Sequence, residues 1–184
     1  MNVLKLIKSD YQKYQKYGGN FISILFFTQG FWAIFQYRVA NLAYRTLHIP
    51  VFRQVCLVGL LIWQKGIEII SGISIPASVQ IGHSFYIGHF GSVILNANTV
   101  IGDNCNISQG VTIGVSGLDR NRGVPKIGDN VYIGANTVVA GNIKISNNVL
   151  IGACSLVTED ASESAVLLGV PAIKISNKGS KGYI

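Results

Sequence analysis

The sequence predicts an all-β solenoid, a parallel β-helix, that follows an N-terminal α-helical region. Apolar residues recur at every sixth position between residues 75 and 157, whereas residues 1–72 show helical spacing. A hexad lacks the heptad spacing of a coiled coil, but it fits one short extended face plus a corner, so that three hexads close one triangular coil. The composition, with 49% hydrophobic and 12% charged residues, indicates further burial between subunits or against a membrane.

The helical region contains three predicted helices. The first covers residues 1–17 and ends at two glycines, the second covers residues 20–47, and the third starts at Pro50 and runs to about Ile70. An apolar run at residues 55–63 is too short to cross a bilayer, which takes roughly 20 apolar residues. We expect this run to be buried in a helical cap or a subunit interface, and shallow membrane contact is the alternative.

Positive charge is concentrated in the helical region. Residues 1–72 carry eight Lys or Arg and two acidic residues, whereas the remainder carries seven basic and six acidic residues. A basic and apolar N-terminal region suits binding to an anionic membrane surface or an anionic substrate. A solvated basic face explains the excess of positive charge equally well. No nucleic-acid-binding motif is present, so we expect no nucleic acid partner.

Three cysteines without short spacing, Cys56, Cys105 and Cys154, exclude a disulfide framework and a zinc site of the usual spacing. They fit a reducing compartment. The N-terminus lacks the layout of a cleavable signal peptide. We therefore expect a cytoplasmic protein, with the inner face of the membrane left open as its location.

The solenoid is predicted over residues 73–163, and the hexad phase breaks twice within it. The phase slips by two residues between Ile87 and Leu95, and a polar, glycine-rich loop at 115–126 separates two hexads. Loops that leave a rigid scaffold often carry function. Residues 164–184 are predicted to form a capping strand, at 167–175, and a basic tail.

Six segments of the chain match one family, at residues 29–38, 87–91, 109–114, 125–128, 133–141 and 169–172. Over roughly residues 28–175 the chain resembles the left-handed β-helix acyltransferases of the hexapeptide-repeat superfamily. Its pattern is similar to the serine acetyltransferase branch and closest to the capsule and exopolysaccharide O-acetyltransferases. The resemblance implies left-handed coils, a homotrimer with active sites between subunits, acetyl-CoA as co-substrate and no metal. Whether two trimers pair is left open.

His89 is the candidate general base. Acyl transfer from a thioester to a hydroxyl needs a group that takes the hydroxyl proton, and imidazole suits this near neutral pH. By resemblance His89 matches the catalytic base, whereas His48 and His83 are expected to be structural or surface residues. The sequence departs from the serine enzymes at Ser74 and Gly88, where the family carries acidic residues. It also departs in the loop, where the family's His and Arg align with Val124 and Gly123.

The remaining site residues also come from the resemblance. The backbone at Gly114 and Val115 is expected to stabilise the oxyanion. By resemblance, the cofactor contacts fall on small residues that leave room for a pantetheine arm, namely Ser116, Ala135 and Ala153. Two cations, Lys126 and Lys174, are expected to bind the phosphates of coenzyme A. Acceptor-side candidates are Asp10, Arg120 and Arg122. Alanine also suits coil corners, so a structural role for the small residues stays open.

These observations predict an acetyl-CoA-dependent O-acetyltransferase acting on a saccharide hydroxyl by direct transfer. The missing serine-site groups and the basic, apolar N-terminal region favour a saccharide of a surface polysaccharide. The alternative acceptor is serine, in cysteine biosynthesis. A non-catalytic assembly module is a second class. A zinc enzyme like the γ-type carbonic anhydrases would need three His ligands, whereas the solenoid offers His83 and His89.

Overall fold

The computed structural model of the chain describes residues 2–119 and 122–184. Four helices come first: α1 Val3–Lys16, α2 Phe21–Phe27, α3 Gln29–Thr46 and α4 Pro50–Ser71. The single helix predicted over residues 20–47 is two helices, because Thr28 adopts an extended conformation between them. The helix predicted from Pro50 is confirmed and ends at Gly72, which has the left-handed backbone that commonly terminates helices.

Within the described residues fifteen short strands follow, and they stack into three sheets that form the faces of a triangular coil. Sheet A contains β1 Ile73–Ser74, β4 Val93–Leu95, β7 Thr112–Gly114, β10 Val138–Ala140 and β13 Leu156–Val157. Sheet B contains β2 Gln80–Ile81, β5 Val100–Ile101, β8 Lys126–Ile127 and β11 Lys144–Ile145. Sheet C contains β3 Tyr86–Ile87, β6 Asn106–Ile107, β9 Tyr132–Ile133, β12 Leu150–Ile151, β14 Val166–Gly169 and β15 Ala172–Ser176.

The hexad openers form the interior of the coil. Stacked strands pair in parallel, so that equivalent residues of successive coils lie above one another, as Ile107 lies above Ile87 and Ile133 above Ile107. All three side chains are at most 2% exposed. Burial of an aliphatic side chain of this size stabilises a fold by roughly 1.5–3 kcal/mol, and the repeat supplies that contribution in every coil.

The C-terminal segment differs from its prediction. The strand expected at residues 167–175 is two strands, because the chain turns back after Gly169, whose φ is +108°. β14 still pairs in parallel with β12, so the coil continues past residue 163, and β15 then pairs antiparallel with β14. This antiparallel strand covers the last coil of sheet C.

The helical region joins the first coil through polar contacts. Arg38 of α3 donates to the carbonyl oxygens of Ile81 and Gly82 at 2.7 and 2.6 Å, and it also binds Asp10 of α1. The Tyr14 hydroxyl donates to the Ile87 carbonyl oxygen at 2.9 Å, from a side chain that is buried. These contacts fix α1 and α3 against sheets B and C.

The outer side of α4 is exposed. The apolar run at 55–63 is not buried in a helical cap of its own chain, since Val55 and Ile62 are 67% and 68% exposed, and burial in a subunit interface stays a prediction. Val51–Ser71 is long and apolar enough to cross a membrane by length and composition, and only 6% of its most apolar window is buried.

Candidate active site

His89 lies on a bulge at the corner between sheets C and A. Ile87 pairs with Ile107 and Ile94 pairs with Thr112, so this corner holds two residues more than the corner of the next coil. The predicted phase slip is therefore confirmed as an outward bulge. Gly91 within it has a φ of +108° and donates its N–H to the Ser71 carbonyl oxygen at 2.7 Å. His89 itself is exposed at this corner.

One residue of each following coil occupies the position that corresponds to His89. Counted from the stacked residues of sheet C, these residues are Gln109, Ala135 and Ala153. Backbone hydrogen bonds of 2.8–3.0 Å join the successive corners. We call this line of four residues the His89 edge. Two predicted cofactor residues, Ala135 and Ala153, thus lie along the same edge as the predicted base, and their small side chains leave a shallow path.

The 115–126 loop leaves the coil at the opposite side of sheet A, after Gly114. It folds back as a hairpin in which Ser116 and Gly123 exchange backbone hydrogen bonds of 3.1 and 3.0 Å. The Val115 N–H has no acceptor among the residues that the structure describes. Arg122 is exposed, whereas Arg120 lies outside the described residues. We call this part of the molecule the loop edge.

Within one chain, the two predicted halves of the site do not meet. The His89 edge precedes each strand of sheet A and the loop edge follows it, so the sheet separates His89 from Gly114 and Val115. The structure therefore groups the predicted base with the small cofactor residues. It places the predicted oxyanion group, Ser116 and Arg122 on a different edge.

The two predicted phosphate-binding lysines lie elsewhere again. Lys126 is exposed on the outer face of sheet B, in register with Lys144. The Lys174 ammonium donates to the Ser162 hydroxyl at 2.9 Å, near the corner between sheets B and C. Neither lysine lies on the His89 edge of its own chain.

A carboxylate accompanies Ser74, the position at which the family carries an acid. The Ser74 hydroxyl donates to Oε1 of Glu68 at 2.7 Å, and Gln64 donates to the same oxygen at 2.8 Å. Burial opposes ionisation of Glu68, but hydrogen bonds from Lys65, Ser74 and Gln64 outweigh it and lower the pKa of this carboxyl. Sequence reasoning missed Glu68 because it lies on α4, outside the hexad period.

The structure contradicts the acceptor-side role predicted for Asp10. Its side chain is fully buried, both oxygens accept from Arg38 at 2.8 and 3.1 Å, and Oδ1 also accepts from the Phe85 N–H. Burial raises the pKa of Asp10, although Arg38 and the Phe85 N–H act in the opposite direction. Asp10 instead fixes α1 and α3 to the first coil.

The comparisons with known proteins bear on this site. Residues 125–159 match the family model described as bacterial transferase hexapeptide, six repeats. This match places the hexapeptide repeat of that family in the second half of the coil. It is 27% identical to the serine acetyltransferase of Bacillus licheniformis over 162 residues, which cover 88% of this chain and 71% of the relative.

Two solved structures extend the match to the whole fold. The serine acetyltransferase of Neisseria gonorrhoeae in complex with serine is 29% identical, with a TM-score of 0.77 over 95% of this chain and 69% of that one. The Brucella abortus enzyme in complex with coenzyme A is 25% identical, with a TM-score of 0.83 over 95% and 68%. The predicted left-handed β-helix with N-terminal helices is thereby confirmed.

The same findings confirm the enzyme class and correct the acceptor. The chain is an acetyl-CoA-dependent acetyltransferase, as predicted. The prediction of a polysaccharide acceptor was wrong, because these relatives and solved structures are serine acetyltransferases. That prediction depended in part on positions where the sequence lacks the family's acidic residues. At one of these positions, Ser74, the carboxylate of Glu68 from α4 accepts a hydrogen bond from the serine hydroxyl.

Proposed function

We propose that this protein is a serine O-acetyltransferase of the hexapeptide-repeat family, which moves the acetyl group of acetyl-CoA to the hydroxyl of L-serine. The similarity to the serine-bound Neisseria gonorrhoeae enzyme over 95% of this chain carries the proposal. The products are O-acetyl-L-serine and coenzyme A, and the reaction belongs to cysteine biosynthesis.

His89 acts as the general base in this proposal. Its imidazole takes the proton of the serine hydroxyl while that oxygen attacks the thioester carbonyl carbon. The tetrahedral intermediate then collapses, its carbon–sulfur bond breaks, and the imidazolium returns the proton to the departing thiolate. The exposed bulge supports this role, because it leaves the imidazole accessible to both substrates.

A homotrimer would complete the site. The N–H of Val115, which has no acceptor among the described residues, is suited to binding the developing oxyanion. It lies on the loop edge, whereas His89 lies on the opposite edge of sheet A. Threefold packing brings the loop edge of one subunit against the His89 edge of the next, so that each site forms between two chains.

Acetyl-CoA is proposed to lie along the His89 edge. Ala135 and Ala153 give the pantetheine arm a path beside the coil, and Ser116 of the neighbouring loop edge closes it. Lys126 and Lys174 remain candidates for the phosphates only from a neighbouring subunit, since neither lies on the His89 edge of its own chain. Arg120 and Arg122 remain acceptor-side candidates on the loop.

Glu68 is proposed as a positioning residue. Its carboxylate accepts from Ser74, and the bulge that carries His89 is anchored to Ser71 in the last turn of the same helix. Glu68→Gln should lower kcat while the KM for acetyl-CoA and the melting temperature stay unchanged, and Glu68→Asp should restore part of kcat. Equal activity in all three proteins would remove Glu68 from the mechanism.

The decisive experiment measures coenzyme A release by thiol titration, with acetyl-CoA and either L-serine, L-threonine or L-homoserine as acceptor. We expect saturable release with L-serine and identify O-acetylserine by mass spectrometry. Release that does not depend on L-serine would contradict the proposed acceptor while leaving the transferase assignment intact.

A further inference from the structure

All four helices line one apolar groove with a volume of about 570 Å³. It is bordered by one cation and otherwise by apolar and aromatic side chains, among them Leu4, Phe21, Leu25, Trp32 and Trp63. The chain has two tryptophans, and both line this groove. Monomeric soluble proteins seldom expose a continuous apolar area of this kind without a partner.

The apolar area continues beyond the groove onto α2 and α4. Phe26 and Phe27 of α2 are 57% and 72% exposed, and Val51 and Val55 of α4 are 74% and 67% exposed. We call the groove and these neighbours the helical apolar surface. Large side chains dominate it, so a partner that covers it removes a substantial apolar area from water.

The charges of the helical region that remain exposed are of one sign. Within residues 2–72 both acidic side chains form ion pairs inside the region, Asp10 with Arg38 and Glu68 with Lys65. Exposed cations remain, among them Lys8, which borders the groove, Lys5 and Lys16 of the same helix, and Arg45. The helical region therefore combines exposed aromatic side chains with positive charge that no nearby acid offsets.

We propose that the helical apolar surface binds an anionic lipid bilayer, with α2 and α4 lying in the plane of the headgroups. Aromatic and leucine side chains beside lysines are typical of helices that lie at an interface, and tryptophan favours the headgroup level. A symmetric contact with a second copy would bring two sets of these cations into one interface without adding an acid. An anionic bilayer supplies the opposite charge.

Contacts on the inner side of α4 favour an in-plane position over a membrane span. Gln64 is 8% exposed and faces the protein, and Trp63 packs edge-on against Phe35 of α3 with ring centroids 6.2 Å apart. The helix end is joined to the first coil through Ser71 and Gly91. A spanning α4 would have to leave α3 and this junction.

Vesicle binding of the full chain tests the proposal through its two tryptophans. With phosphatidylcholine vesicles that contain phosphatidylglycerol, we expect co-flotation of the protein and a blue shift of tryptophan emission. With pure phosphatidylcholine, or with high salt, both signals should be weak. Absence of both signals with the anionic vesicles at low salt would overturn the proposal.

Two variants with matched controls locate the surface. Phe27→Ser should weaken partitioning into anionic vesicles by about tenfold or more, whereas Ile173→Ser on β15, which is similarly exposed, should not. Lys8→Gln should weaken it by about fivefold, whereas Lys181→Gln in the C-terminal tail should not. Circular dichroism checks that each variant is folded.

Light scattering without lipid tests whether a second copy of the chain, rather than a bilayer, covers the helical apolar surface. We expect Phe27→Ser to keep the mass of the parent assembly. A variant that falls to a smaller assembly would assign the surface to a second copy of the chain and overturn the proposal.

Discussion

The coil and the helical region distribute their charged groups in opposite ways. In the coil, the interior holds stacked isoleucine and valine side chains, and its described charged residues lie toward the surface. In the helical region, Asp10, Lys13 and Arg38 are at most 4% exposed, while phenylalanine and valine side chains face outward. The coil is therefore stabilised by a repeated apolar contact and carries its chemistry on its edges. The helical region is fixed by a few specific polar contacts and presents an apolar surface.

The largest expected effect tests whether the catalytic base lies on the His89 edge of the coil. His89→Ala removes the general base, so kcat should fall by about 10²–10⁴-fold, while the melting temperature should change little because His89 is exposed. Acetyl transfer to L-serine, followed by thiol titration, measures this loss.

His83→Ala is the matched control for that variant, since His83 lies one hexad earlier and on another corner of the first coil. It should retain nearly parental kcat. If both histidine variants lost activity equally, the position of His89 on the bulge would not identify it as the general base.

The second-largest effect tests the buried ion pair of Asp10 and Arg38, which connects the helical region to the first coil. Asp10→Ala leaves the Arg38 guanidinium buried without its carboxylate, and breaking a buried pair in this way costs about 3–5 kcal/mol. Urea denaturation should show this loss in the free energy of unfolding. Lys65→Ala, which removes an exposed partner of Glu68, should cost no more than about 1 kcal/mol. Equal losses in the two variants would contradict the distinction between the regions.

The coil could be predicted because its sequence is periodic, whereas the ion pair of Asp10 and Arg38 could not, because it follows no period. Ile133 and Ile151, for example, lie three hexads apart because each coil needs an apolar residue at the same inward position. Asp10 and Arg38 are 28 positions apart and follow no period. Their pairing depends on how two helices meet the first coil, which no sequence period reports. The acceptor role expected of Asp10 came from the resemblance instead.

The candidate site was predictable only in part, again for a geometric reason. The hexad phase located the bulge at His89 and the loop after Gly114, because both interrupt the repeat. That the two lie on opposite sides of sheet A follows from the order of the corners, which the resemblance alone did not supply. The carboxylate of Glu68 beside Ser74 could not be found by alignment, because it comes from a helix outside the repeat.

Lys13 provides an intermediate effect that depends on pH. Burial lowers the pKa of this ammonium to about 8 from 10.5, although it donates to Asn104 Oδ1 at 2.7 Å. Between these two pH values the unfolded chain binds more protons than the folded chain, so the free energy of unfolding rises with pH. The rise is at most about 3 kcal/mol, at 1.36 kcal/mol for each pKa unit.

Lys13→Met isolates this contribution. The parent minus variant difference in the free energy of unfolding, from urea titrations at pH 7 and pH 10, should be larger at pH 10. Other groups titrate in the same range, but they are common to both proteins and cancel in the difference. A difference that does not change with pH would show that Lys13 is not protonated differently in the folded and unfolded chains.

The smallest effect concerns the path of the cofactor along the His89 edge. Ala153 lies three coils beyond His89, so a larger side chain there would obstruct the pantetheine arm without touching the base. Ala153→Phe should raise the KM for acetyl-CoA by about tenfold, equivalent to about 1.4 kcal/mol of binding, and leave the KM for L-serine unchanged. Ser146→Phe adds the same ring at the corner between sheets B and C, and its KM values should stay close to those of the parent. If the two variants raised the KM for acetyl-CoA equally, the cofactor would not follow the His89 edge. The edges of the coil would then differ only in where the base lies.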